Sequence, residues 1–208
     1  MTGIQVSSGK ITGVITPDGV VSTPIIVDAT GPWSSLTGWM AGLNVPVSPI
    51  RRQWITTSAI PELPTDFPFV IDFAQSLYFH PEGPGILTGM SNPNEIMGFD
   101  QNIDSDWELV HLDAAINRFP LLEKAGLSSR LAGLYEVTPD AHPIIGKTPI
   151  DGYYIISGFS GHGFMHGPIA GKLISEIIMD GLATSMDISM LDFARFTEGR
   201  LIREYNVV

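Results

Sequence analysis

The ten residues Gly158 to Gly167, GFSGHGFMHG, hold one serine, two histidines and four glycines. Three kinds of chemistry can be asked of them. Gly158-Phe159-Ser160-Gly161-His162 has the serine of a nucleophile elbow but lacks the last glycine of G-x-S-x-G, and Ser160 has no assignable triad partners. His162 and His166 are four apart, which on a helix puts both on one face for a metal. Pro168 is expected to start the helix only after them, and the chain has neither Cys nor H-E-x-x-H, so packing roles are expected for both and no metal site is read. Gly161 and Gly163 fit the first two places of G-x-G-x-x-G, but His166 takes the third and no acidic residue ends a following strand about twenty positions on. What remains is bare backbone. A glycine-rich turn running into a helix lets a ligand approach N–H groups, and the helix's positive end favours negative charge. A tight strand-to-helix connection accounts for the spacing equally well.

Such a turn needs a strand before it and a helix after it. Tyr153 to Ser157 reads as a buried strand, and an amphipathic helix is expected from Pro168 to Gly181, with Gly167 as N-cap. Earlier, Ile4–Val6, Ile11–Ile15 and Val20–Ser22 alternate with the turns SSGK and Pro17-Asp18-Gly19, predicting an antiparallel meander. Ile25 to Val27 has the look of a strand buried on both faces, cut short by Thr30-Gly31-Pro32, and Trp33 to Leu43 can form a weak helix. Prolines bracket an extended run from Arg52 to Ile60. Phe69–Phe73, Leu77–Phe79 and Gly85–Met90 read as neighbouring antiparallel strands, with HPEGPG as turn. Asp104 or Ser105 caps a helix whose apolar face is Trp107, Val110, Leu112, Ala115, Ile116 and Phe119. A strand is expected over Arg130 to Val137, a structured loop over TPDAHPIIGKTP, and a short helix over Met190 to Phe196.

Composition narrows the class. A 208-residue chain with 44% hydrophobic and 16% charged residues can bury a substantial core. A net charge of -11 with 11 Lys and Arg in all argues against nucleic acid or anionic lipid as a partner. No apolar run approaches the ~20 residues of a membrane span, and no secretory leader is evident. With no cysteine, disulfides and thiolate chemistry are excluded. A cytoplasmic protein is the expectation.

Four segments in order, VDATGPWSS, LYFHPEGPGILTG, AGLYEVTPDAHPIIG and GYYIISGFSGHGFMHGPIAGKLISEII, resemble the carboxy-terminal part of the D-amino-acid oxidase family of FAD-dependent oxidoreductases. The likeness is greatest to the branch of sarcosine oxidase β subunits, dimethylglycine dehydrogenase and L-proline dehydrogenase. It implies an α+β fold, an antiparallel-sheet substrate lobe plus the carboxy-terminal pieces of an α/β FAD-binding domain. The implied parts are a remnant of the FAD domain over 1–45, a substrate lobe over 46–138, a return to the FAD domain over 139–181 and a tail over 182–208. It implies FAD as cofactor, with Thr30, Gly31, Gly158, Ser160, Gly161, His162, Gly163, Phe164 and Met165 along it, and a helix N-terminus facing the flavin's pyrimidine edge. The family's opening dinucleotide motif has no counterpart here, so a missing amino-terminal segment or partner subunit is expected, and with it self-association through uncovered apolar surface and inactivity of this chain by itself.

The implied reaction moves a hydride from the carbon beside a substrate amine to the flavin, giving an imine that hydrolyses; the substrate is a small amine or amino acid, sarcosine- or proline-like. Where monomeric sarcosine oxidases place an oxygen-assisting lysine, Leu87 stands, which favours a dehydrogenase. Met165 replaces a carboxylate-gripping lysine, and Tyr135 stands where glycine oxidases have an arginine. Arg51, Arg52, His80, Tyr135 and His166 are the remaining polar candidates: Arg52, His80, Tyr135 and Met165 for substrate binding, and His80, Tyr135 and His166 for catalysis. A non-catalytic binding or assembly module that keeps the fold is the alternative.

Overall fold

In the computed structural model, residues 1–204 are described. They fall into two units, one of Met1–Pro49 with Tyr135–Glu204 and one of Ile50–Leu134. The first unit opens with the meander, β1 (Gly3–Ser7), β2 (Lys10–Thr16) and β3 (Gly19–Ser22), paired in that order and antiparallel. Ser8 and Gly9 turn the first hairpin at positive φ, and Gly19 at φ 126 closes the second.

The strand β4 (Ile26–Asp28) pairs in parallel with β11 (Tyr153–Ser157), whose other edge takes β10 (Ile144–Lys147) antiparallel. Residues of TPDAHPIIGKTP thus form a strand, β10, where a loop was expected: Ile144 and Ile145 are apolar enough to pair and bury on β11. Burial of β4 on both faces is also corrected, because β4 is the edge of this sheet and Val27 is exposed. After a 3-10 turn at Gly31–Trp33 comes α1 (Ser34–Met40).

The long helix α3 (Gly163–Asp180) lies on β10 and β11, burying Ala170, Leu173, Ile174 and Ile177 at helical spacing. Gly181 ends it in the left-handed region at φ 89. Its start departs from expectation: the helix begins five residues before Pro168, which lies inside it, so Gly167 is not the N-cap. A proline normally pushes its predecessor out of the helical region by clashing with that residue's Cβ. Gly167 has none, so the helix runs through. The expected helix at Met190–Phe196 is instead two 3-10 turns, Ser189–Leu191 and Phe193–Phe196, and residues 182–204 belong to the first unit.

The second unit is built on a five-stranded sheet in the order β6 (Val70–Asp72), β7 (Leu77–Glu82), β8 (Gly85–Met90), β5 (Ser48–Thr57), β9 (Leu127–Val137). The turn between β7 and β8 is tighter than HPEGPG suggested, because His80, Pro81 and Glu82 extend β7 and pair with β8. The helix α2 (Ser105–Arg118) packs on β7 and β8, N-capped by the Asp104 carboxylate, which accepts from the amides of Asp106 and Trp107. Its buried face is rotated from the expected one: Glu108, His111 and Ala115 are buried, and Val110 is exposed. Ile60, Leu77, Phe79, Ile86, Ala115 and Leu122 form the core, with Phe67, Phe79 and Phe119 rings 4.9–6.0 Å apart. The α+β class and antiparallel sheets are as the sequence implied.

Candidate functional site

The turn after β11 bends through three positive-φ residues, Gly158 at 84°, Ser160 at 52° and Gly161 at 100°. The end of β9 lies beneath it. A Cβ on Gly158 would run into Thr138, and one on Gly161 into the Tyr135 ring, so these glycines answer first to packing within the chain. The Ser160 amide donates to the Glu136 carbonyl at 3.1 Å, and its buried hydroxyl donates to the Gly158 carbonyl at 3.3 Å. That hydroxyl is therefore bonded to a carbonyl, not to an imidazole, which removes the nucleophile reading of the motif.

Beyond Gly161 the character changes. His162 is the N-cap of α3 and no side chain caps the amides that follow. Phe164 is 102% exposed and Met165 67%. An 18-residue helix thus presents its first amides and its positive end outward, beside two large apolar side chains. Half-buried Glu136 sits against this first turn, its Oε1 3.7 Å from where a Gly163 Cβ would lie. Burial pushes its carboxyl above the usual range, against the pull of backbone amides at Glu136 and Phe159.

The second feature of the first unit is a buried polar cluster behind Thr30 and Gly31. Asp28, at the end of β4, accepts from the Thr30 amide at 3.0 Å, the Thr30 hydroxyl at 2.6 Å and the Tyr153 hydroxyl at 2.7 Å. The Ser34 hydroxyl lies 2.7 Å from that of Ser157, which in turn reaches the Gly31 carbonyl at 3.3 Å. Burial, then the Asp28 carboxylate, push the Tyr153 phenol far up, so it stays a donor. The Thr30 side chain is spent on holding the turn. Gly31, at φ 56, has no atom within 4 Å of a hypothetical Cβ and is open.

The second unit carries Arg52 and His80. His80 pairs across the sheet with Leu87, its Nδ1 lies 2.8 Å from the Pro81 carbonyl oxygen, and its ring stacks on Phe69 at 5.0 Å. The same sheet face holds a row set by register, Tyr78 opposite Gly89 opposite Trp54. A Cβ on Gly89 would lie 2.5 Å from the Tyr78 ring, and one on Gly133 would lie 3.7 Å from the Trp54 ring, so the two glycines let the aromatic rings lie flat. Arg52 donates to the Arg51 carbonyl at 3.0 Å. Arg51 is an anchor for the 95–104 loop, bound to Glu95 and Asp100 at 3.0 Å each.

The model of the FAD dependent oxidoreductase family (DAO) matches residues 1–177. The chain belongs to that family. Sarcosine dehydrogenase of Homo sapiens, a mitochondrial protein, is 31% identical over 94% of this chain and 23% of its own length. Mitochondrial dimethylglycine dehydrogenase of Mus musculus is 32% identical over 88% of this chain and again 23% of its own. The crystal structure of L-proline dehydrogenase from P. horikoshii superposes with a TM-score of 0.87 at 32% identity, over 96% of this chain and 54% of that one. The chain thus spans about a quarter of those curated relatives and about half of that structure.

For a DAO family member, the uncapped first turn of α3 and the open Gly31 fit the electron-rich edge of a flavin, which calls for backbone donors rather than side-chain charge. Thr30, Gly31 and the 158–165 segment all lie in the first unit, as do Tyr135 and His166; Arg52 and His80 lie in the second. Sequence reasoning missed the residues that hold these turns. Asp28, Ser34, Tyr153 and Ser157 form one cluster, and Asp140 forms a buried bidentate pair with Arg195 at 2.8 and 3.0 Å. Burial alone would raise the Asp140 carboxyl, but Arg195 and the Ile202 amide hold it at about 2. Among the described residues, no helix is long and apolar enough to cross a membrane.

Proposed function

We propose that the chain is the ring-facing and substrate-lobe portion of a flavin-dependent dehydrogenase that oxidises a C–N bond of a small secondary amine or imino acid of the sarcosine or proline type. The uncapped, outward-facing start of α3 carries this reading, in a chain 32% identical to L-proline dehydrogenase over nearly its whole length. FAD, when bound, would accept the hydride from the carbon next to the substrate nitrogen.

The chain's own residues supply position and electrostatics. The amides of Gly163, Phe164 and Met165 would stabilise negative charge at the ring without a formal cation. Gly31 leaves room for close approach, and the Asp28 cluster fixes its turn. Phe164 and Met165 would exclude water. On the second unit, the Trp54, Tyr78 and His80 face would pack an alkyl amine, an aromatic surface being attractive to a cationic nitrogen. Leu87 on that face in place of a lysine supports dehydrogenase over oxidase chemistry, and Met165 in place of a carboxylate-gripping lysine removes one usual clamp on a substrate carboxylate. His80, Tyr135 and His166 are the proposed proton-handling candidates, and Arg52 the proposed substrate-side cation. By itself the chain is proposed to be inactive, to sit in the cytoplasm, and to self-associate through exposed Val20, Val21, Val27 and Trp39.

The full-length gene product, purified, is expected to be yellow and to bleach on anaerobic addition of sarcosine or proline. A colourless protein that takes up no FAD, or a flavin that none of these amines reduces, would sink the reading.

A further inference from the structure

We infer that the second unit holds a site for a neutral, ring-sized apolar molecule bearing a single hydrogen-bond acceptor, which the Thr88 hydroxyl receives on the α2 side of the sheet. Strand register sets Thr88 between Ile55 and Phe79, so its side chain faces α2, on the opposite side of the sheet from Trp54, Tyr78 and His80. There α2, the 3-10 segment Pro120–Lys124 and the sheet surround a cavity of about 190 Å³, walled by Ile55, Ala115, Ile116, Leu122 and Leu127. An engineered cavity of roughly 150 Å³ with such a lining stays dry and admits benzene. Exposed Glu123 and Leu127 mark its open side, and every lining residue belongs to the second unit.

The acceptor follows from where two hydrogens can go. Burial holds His111 neutral, so its imidazole has a single N–H, and the Thr88 hydroxyl has a single O–H. Nε2 of His111 lies 3.0 Å from the Thr88 hydroxyl, a contact that uses only one of those hydrogens. With the proton on Nδ1, an N–H would be sealed in the core without an acceptor, because Nδ1 is buried and unpartnered; orphaned N–H groups are rare and costly. With the proton on Nε2, His111 donates to Thr88, and the threonine O–H is left to point into the cavity that Thr88 lines. The hydroxyl of Thr57, also on the wall, is already engaged: it donates to the Ser58 carbonyl at 2.9 Å and accepts from the Ile86 amide at 3.0 Å. No Lys or Arg lines the cavity and Glu123 stands at its mouth, which disfavours an anion, while a cation would lose its hydration against apolar walls. Charged amines and amino acids are therefore poor occupants, and the site does not rest on the flavin reading.

The test is NMR on the full 208-residue chain with labelled histidine rings and isoleucine methyls, at about pH 7.5. The long-range proton–nitrogen spectrum should show the His111 proton on Nε2; a proton on Nδ1, turned onto the unpartnered Oε2 of Glu108, would overturn the inference. Pyridine and benzene, rings of one size that differ by an acceptor nitrogen, are then titrated separately. Both should give saturable shifts at the Ile55 and Ile116 methyls, and Ala125→Leu should weaken both by narrowing the cavity. The pyridine-to-benzene affinity ratio should fall at least about tenfold in Thr88→Val and be kept in Thr88→Ser. The tautomer and the methyl shifts are read on wild-type protein, so they stand whether or not a variant folds. No saturable binding, shifts centred on the Trp54 and Tyr78 face, or a ratio unmoved by Thr88→Val would overturn the site.

Discussion

Asp28 and Asp140 in the first unit and His111 in the second are all buried, yet they meet burial differently. Each carboxylate in the first unit is surrounded by donors: Asp28 by Thr30 and Tyr153, Asp140 by Arg195, and the Arg195 guanidinium also donates to the carbonyls of His142 and Asp192. In the second unit His111 has Nε2 3.0 Å from the Thr88 hydroxyl, while its Nδ1 and the Oε2 of neighbouring Glu108 have no hydrogen-bond partner. Burial alone pushes the His111 imidazole down to about 4. The first unit thus uses buried charge to fix turns, at Thr30-Gly31 and at the 138–142 loop. The second tolerates a buried neutral imidazole under its sheet because surrounding apolar packing outweighs the cost.

Three experiments bear on this contrast, the largest effect first. Arg195→Ala takes the charged partner from the buried Asp140 carboxylate, leaving it only the Thr138 hydroxyl and the amides of His142 and Ile202, and should cost about 3 kcal/mol in urea unfolding; a loss below about 1 kcal/mol would mean the pair fixes nothing. Acidification should reach the second unit first. A histidine held below its unfolded value contributes stability that is complete above about pH 6.5 and is lost as the pH falls toward about 4, on the order of 3 kcal/mol. Asp140, depressed from 3.8 to about 2, keeps its contribution above about pH 4 and loses it only below. Hydrogen exchange followed by mass spectrometry should therefore show protection lost in α2 and β8 near pH 5 while β10 and β11 hold; simultaneous loss would erase the distinction. The smallest change is expected from the double variant His111→Leu with Thr88→Val, within about 1 kcal/mol of wild type at pH 7, since both partners of the bond go together. It should also flatten the pH dependence between 6.5 and 4.

Much of the scaffold was legible because local signals carried it. The meander followed from its Pro-Asp-Gly and Ser-Gly turns, β11 from a continuous apolar run, and α2 from its Asp104 cap and the helical spacing of the apolar residues after it. Signals failed where the decisive partner was remote or where a rule has an exception. Asp140 and Arg195 are 55 positions apart, and nothing local to either marks a pair. The buried face of α2 was misjudged because only apolar residues were taken to mark it, whereas Glu108 and His111 turn inward beside Ala115. The start of α3 was misplaced because proline was treated as a boundary, although a glycine before it lifts the steric reason. At the candidate site, the glycines at 158 and 161 were legible as a turn but not as the seat of the Thr138 and Tyr135 side chains.

Pro168 has one more consequence. With no N–H to give, it leaves the Phe164 carbonyl without the partner that an unbroken helix would supply at that position. The first turn of α3 is thereby joined to the rest of the rod by one fewer strut, and the packed segment from Ala170 onward does not depend on it. Mechanically, Gly163 to Gly167 is a replaceable tip on a fixed shaft: its side chains could be exchanged, one enzyme's set for another's, with little disturbance to the core that carries it.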